Sequence, residues 1–182
     1  MESIIKLHTE SQSTVSRSFR IGEEWDKILQ EDAEAQGTSV NALLNNILKK
    51  YSLTRVTTTY NDILLPPELF QPIIALCSEG KIIEIGKNYG ASSKDMFMRW
   101  GFPSSYSSIV WVIEHLFQEV FQWYICAYHV QGGREIFHLS HSYGENWSIF
   151  LSNYFSALID TILDIKIDVE VSDNYATLII KK

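Results

Sequence analysis

Two short motifs in the second half of the chain carry the residue types of a transition-metal site. Cys126-x-x-His129 is followed by His138-x-x-His141, with Gly132-Gly133 between them. Thiolate and imidazole ligate zinc, nickel and copper. The spacing works against a shared site, because residues three apart on a strand point to opposite faces. One face then offers two ligands, and a strand histidine or buried cysteine more commonly packs than ligates. Cys126, His129, His138 and His141 therefore stand as metal candidates only, and no cofactor is expected. Catalytic patterns are missing as well. Gly86-Lys87-Asn88-Tyr89-Gly90 lacks the spacing and the Lys-Ser/Thr ending of a phosphate loop and reads as a turn. No serine lies in a Gly-x-Ser-x-Gly elbow. The chain is not expected to be an enzyme.

Aromatic residues make up 13% of the 182 residues, and nearly all follow Tyr51. The larger core should therefore lie in the second half. Trp111, Phe117, Phe121, Trp123, Tyr124, Tyr143, Trp147, Phe150, Tyr154 and Phe155 either fill that core or line an apolar cavity for a small molecule. The formal net charge is −7, which opposes non-specific nucleic-acid binding by the whole chain. The acidity is uneven. Residues 1–60 carry seven Lys/Arg against eight Asp/Glu, whereas the remainder carries eight against fourteen. Any DNA contact belongs to the near-neutral first part. No stretch approaches the ~20 apolar residues of a membrane span. Met1 to Glu10 has no apolar run of the signal-peptide kind, and two cysteines do not frame a disulfide scaffold. A cytoplasmic protein without membrane contact is expected.

The elements follow from periodicity. Residues 1–13 read as a flexible arm. Thr14 to Ile21 alternates in period two, with Val15, Arg17, Phe19 and Ile21 on one face and Ser16, Ser18 and Arg20 on the other. Glu23 to Gln36 reads as a helix with acids in its first turn and Gly37 as its stop. Thr38 or Ser39 caps a second helix, whose apolar stripe is Leu43, Leu44, Ile47 and Leu48. Residues 52–62 read as a linker. From residue 63 to 182 the order is helices, a hairpin around Gly132-Gly133, a long helix over Glu145 to Leu163, and a last hairpin around Asp173-Asn174. Lys81 to Tyr89 fits helix or strand equally. An α+β domain with an antiparallel sheet and covering helices is the expected packing.

Strand, helix, Gly37-Thr38-Ser39-Val40-Asn41-Ala42-Leu43-Leu44, helix: over residues 14–51 this resembles the ribbon-helix-helix family of repressors and antitoxins. The physics agrees with the resemblance. One short strand cannot satisfy its own backbone groups. Two chains can pair their strands as a ribbon and bury Phe19, Ile21, Trp25, Ile28, Leu29, Leu43, Leu44 and Ile47 in a shared core. Folding and dimerisation are then one event. Such a β-α-α intertwined dimer places its ribbon in the major groove. The resemblance implies base reading by Ser16, Ser18 and Arg20, with Arg20 suited to a guanine edge. It also implies a phosphate held at the start of the second helix, by Ser39, Val40 and Asn41. Two departures stand out. Gly22 occupies a place where many members have proline, and Arg17 falls on the inward face, from which it could swing to a phosphate.

A second resemblance covers His138-Leu139-Ser140-His141-Ser142-Tyr143-Gly144-Glu145-Asn146-Trp147-Ser148-Ile149-Phe150-Leu151, which is similar to a His-x-x-Gly-x-x-Trp-Ser-x-Phe-Leu motif of uncharacterised archaeal proteins and implies no activity. The expectation is a dimeric transcriptional regulator, such as a repressor, bound to double-stranded DNA. Its second domain would add homo-oligomer contacts or sense a small-molecule effector. Two other readings stay open: an antitoxin, and a ligand- or metal-binding protein whose first module only dimerises it.

Overall fold

Element boundaries in this chain fall where local backbone chemistry permits them. The computed structural model describes residues 15–57 and 65–181. Glu23, Glu24 and Asp26 occupy the first turn of α1 (Glu23–Ala35), where the helix dipole favours acids. Gly37, at φ +63°, closes that helix. Its N–H donates to the Glu34 carbonyl and the Thr38 N–H to the Ala33 carbonyl, the paired closure that a left-handed residue allows. Ser39 then caps α2 (Val40–Thr57), its hydroxyl accepting from the Ala42 N–H at 3.2 Å.

α2 runs past the point where the sequence predicts a linker. Residues 52–57 are helical, whereas 58–62 lie outside the described residues, as do 1–13. Packing explains the extension. Leu53 is buried in the main core of the second part. Thr54 donates its hydroxyl to the Lys50 carbonyl at 2.9 Å, which settles a polar group that would otherwise disfavour helix. The helical pair is thus seated on the second part by its last turns. The strand predicted over residues 14–21 does not form in the single chain: residues 15–22 have neither strand nor helix, and residue 14 lies outside the described residues, because an isolated strand has no neighbour to satisfy its backbone groups.

In the second part, Pro67 opens α3 (Pro67–Ala75), where a missing N–H has no consequence. α4 (Glu79–Arg99) is one continuous helix through both Lys81–Tyr89 and Gly86–Gly90. The turn predicted at Gly86–Gly90 is therefore wrong. Glycines four apart share a helix face, and there α4 meets α6 (Glu145–Leu163). A Cβ on Gly86 would sit 3.0 Å from the Phe150 carbonyl oxygen, and one on Gly90 only 2.2 Å from that of Tyr154. The two glycines form the notch that lets the helices approach.

Between them, α5 (Tyr106–Trp111) starts on Ser105, whose hydroxyl accepts from the Ser108 N–H. It continues into a π-helical segment, Val112–Val120, which buries Val112, Ile113, Leu116 and Phe117. Gln122, in the left-handed region at φ +55°, ends that segment. The sheet comprises β1 (Ile125–Gln131), β2 (Arg134–Ser140), β3 (Asp168–Ser172) and β4 (Tyr175–Lys181), in the order β1-β2-β4-β3 and antiparallel throughout. Gly132 and Gly133, both at positive φ, make the tight β1–β2 turn. Phe137, Leu139, Ala176, Leu178 and Ile180 face the helices and are fully buried. α6 lies along β3 and β4, and the π segment lies against β1. The α+β architecture thus matches the expectation. Among the described residues no helix is long and apolar enough to cross a membrane.

Candidate nucleic-acid interface

The first module is read from its hairpin outwards. α1 and α2 meet through Ala33 and Leu43, which are buried, with Leu29 and Leu44 half-buried beside them. The rest of the predicted shared core faces outward in the single chain. Phe19 is 62% exposed, Trp25 66%, Ile28 48% and Ile47 45%, and Ile21, Leu48 and Tyr51 join the same exposed set. So many large apolar side chains on some forty residues exceed the scattering normal for a monomer surface.

The predicted base-reading residues Ser16, Ser18 and Arg20 are exposed, and so is Arg17. Neither arginine has an ion pair among the described residues. At the predicted phosphate position, the Ser39 hydroxyl serves as helix cap, and the helix begins at Val40 and Asn41. Their N–H groups belong to the first turn, which has no intrahelical acceptor. Ser39, Val40 and Asn41 therefore sit together at one helix start, separated in the chain from the 15–22 segment by α1.

The metal candidates do not converge. His129 and His138 share the outer sheet face as diagonal neighbours, rings stacked at 5.1 Å, and the His138 Nδ1 lies 3.0 Å from the Thr177 hydroxyl. Cys126 lies on the opposite, core-facing side beside Leu139. Burial first, and Glu114 second, push its thiol up to about 12, so it stays protonated and is a poor ligand. His141 lies beyond β2. Its Nδ1 accepts from the Tyr143 N–H at 3.2 Å, which leaves the proton on Nε2, 2.9 Å from the Ser148 hydroxyl. Burial pulls its pKa down to about 4, so the ring is neutral. Both of its nitrogens are committed to the fold. Among the described residues no group of three His, Cys, Asp or Glu is placed to hold a metal.

The motif around His141 proves to be a joint. Gly144 adopts φ +82° as the N-cap of α6, and its N–H donates to the Asn174 side chain. The Asn146 amide closes the end of α3 by donating to the carbonyls of Ile74 and Cys77. The Trp147 indole N–H donates to the Trp123 carbonyl at 3.0 Å. A cleft opens beside this joint, and it is lined by four of the rings for which the sequence left core and cavity open: Phe121, Trp123, Tyr143 and Trp147. It has a volume of about 530 Å³ and lies between the start of α3, the end of the π segment and the start of α6. Phe70 brings together the rings of Tyr143 and Trp147 edge-on, at 5.4 and 5.2 Å. Pro66-Pro67 was the available signal, since it fixes the entry of α3 and so the position of Phe70.

Comparison with known proteins returns no matching family model, no matching curated protein and no matching solved structure.

Proposed function

We propose that this protein is a homodimeric, sequence-specific DNA-binding transcriptional regulator of the cytoplasm. Residues 14–51 act as a ribbon-helix-helix module whose paired strands enter the major groove. Residues 63–182 add oligomer contacts or sense a signal. The observation that carries this reading is the exposed row of Phe19, Trp25, Ile28 and Ile47 on a hairpin with well-formed caps. The row holds too much apolar surface to leave in water, and a second copy of the same segment would cover it. Within this reading Ser16, Ser18 and Arg20 face the bases, while Arg17 and the Ser39–Asn41 helix start face phosphates.

The footprint is small: one arginine per chain on the reading face of an acidic protein. Affinity then depends on two chains acting together, and adjacent dimers on repeated half-sites would strengthen it. The large core of residues 65–181, which also takes in Leu53, speaks against the antitoxin reading, which calls for a tail that orders only on its toxin. Genome-wide recovery of DNA bound to the protein tests the proposal. Enriched sites that are lost in Arg20→Ala support it, and the absence of enriched sites overturns it.

A further inference from the structure

The cleft beside the Trp147 joint contains more polar capacity than the fold uses. Phe70, Phe121, Gln122, Trp123, Tyr143 and Trp147 form most of its wall. The Trp147 indole is spent on the Trp123 carbonyl. By contrast, the half-buried Trp123 indole N–H and Tyr143 hydroxyl and the exposed Gln122 side-chain amide have no hydrogen-bond partner among the described residues. An aromatic cavity with a few unspent polar groups is the usual make-up of a small-molecule site. Its volume of about 530 Å³ suits such a ligand.

The backbone supplies a second, independent observation. Gln122 stands at φ +55°, directly after the π segment, where glycine would sit without strain. A side chain kept in a disfavoured conformation points to a use for that side chain. π-helical turns also concentrate at functional sites.

We infer that this cleft binds a flat, uncharged aromatic or heteroaromatic small molecule, gripped between rings and hydrogen-bonded by Gln122, Trp123 and Tyr143. The ring arrangement selects the shape. Trp123 and Trp147 stand at 75° to one another, and Phe70 and Trp147 at 89°, so a planar guest meets both faces and edges. The lining selects the charge. Apart from the Tyr143 hydroxyl it contains no ionisable group among the described residues, so an anion or cation would meet no counter-charge there. The amide and the two donors select a guest with a carbonyl or ring nitrogen at one edge. The inference stands whether or not the first module binds DNA.

The full-length protein is titrated calorimetrically with 2-naphthamide and with 2-naphthoate, which has the same rings and a negative charge. The Trp123 indole resonance, assigned by its loss in Trp123→Phe, is followed by NMR. The expected result is saturable one-to-one binding of the amide that shifts this resonance, with the carboxylate about tenfold weaker. Gln122→Gly should weaken amide binding about fivefold while raising the thermal midpoint, because strain is relieved as the amide is lost. Tyr143→Phe should weaken binding about threefold at an unchanged midpoint. Failure of the amide to saturate, equal affinity for both probes, or binding unaffected by both variants overturns the inference.

Discussion

The two regions of the molecule treat apolar surface in opposite ways. Residues 65–181 bury most of their rings: Phe117, Phe137, Tyr154 and Phe155 are all but inaccessible, although Tyr89 and Tyr175 remain exposed. Residues 15–51 leave Phe19, Trp25, Ile28 and Ile47 in water while forming helices closed by the Gly37–Ser39 turn. Helix capping is local and needs only nearby backbone, whereas a core needs volume. A hairpin of this size encloses too little of it. The contrast shows that good local structure and a complete core are separate achievements. A region with the first and not the second leaves apolar surface that the proposed dimer would cover.

The sharpest way to break the contrast is to damage the self-sufficient region alone. In Gly90→Ala the new methyl group meets the Tyr154 carbonyl oxygen, part of the α6 backbone, which cannot yield as a flexible side chain would. The expected loss is about 3 kcal/mol, even against the helix preference for alanine. Urea denaturation followed by circular dichroism measures it. Gly86→Ala, with its nearest contacts at 3.0 Å, should lose distinctly less. Equal stability of Gly90→Ala and the parent would mean that the helices are not held at this distance.

Much of this region was legible in the sequence, for reasons specific to its residues. Gly132-Gly133 announced one hairpin turn, Asp173-Asn174 announced the last one, and the long helix was expected over Glu145 to Leu163, as it is found. What stayed hidden depends on pairing across distance. Gly86 and Gly90 look like loop residues until the helix that fills their notch is known. Residues 52–57 look like a linker until Leu53 finds its core. Which of the rings line a cavity and which fill the core was hidden for the same reason, since Phe70 and Trp123 are far apart in sequence. On the first module the hairpin and its caps were legible, because the turn chemistry at Gly37 and Ser39 is local.

The incomplete region is tested next. Trp25→Asp places a charge on a side chain that is two-thirds exposed in the single chain. If the chain acts alone, the change is nearly neutral. If a second copy covers Trp25, dimer dissociation should rise about a hundredfold, as for a buried anchor residue. Sedimentation equilibrium over a concentration series distinguishes the two, and the fold of residues 65–181 should persist in either case. A variant that stays as dimeric as the parent removes the main support for the shared core.

A smaller effect concerns acid. The neutral His141 ring, held near pKa 4 by burial, ordinarily titrates at 6.5. Between these values the unfolded chain takes up a proton that the folded one refuses, so stability falls as pH drops from about 6.5 to about 4. His141→Gln keeps an amide near the Ser148 hydroxyl but cannot charge. It should be less stable than the parent at pH 7, and the difference should narrow towards pH 4. Denaturation midpoints at a series of pH values measure it, and a constant difference across that range would count against burial as the cause.

The smallest predicted effect lies on the seam between the regions. Lys49, on α2, pairs with Glu119 of the π segment at 3.1 Å, and His115 reaches the same carboxylate at 2.9 Å. Burial alone would raise the Glu119 pKa, but the hydrogen bonds from His115 and Lys49 outweigh it and hold it below the ordinary carboxylate value. A depressed carboxylate stabilises above its unfolded pKa, and that contribution is lost as pH falls through the folded value. The pair is partly exposed, so a double-mutant cycle of Lys49→Met and Glu119→Gln should give a coupling of only about 0.5 kcal/mol, weaker in high salt. The seam is then held chiefly by Leu53, whose replacement by alanine should far exceed the ion-pair coupling. A coupling larger than the Leu53→Ala loss would mean that charge, rather than apolar burial, joins the hairpin to the core of residues 65–181.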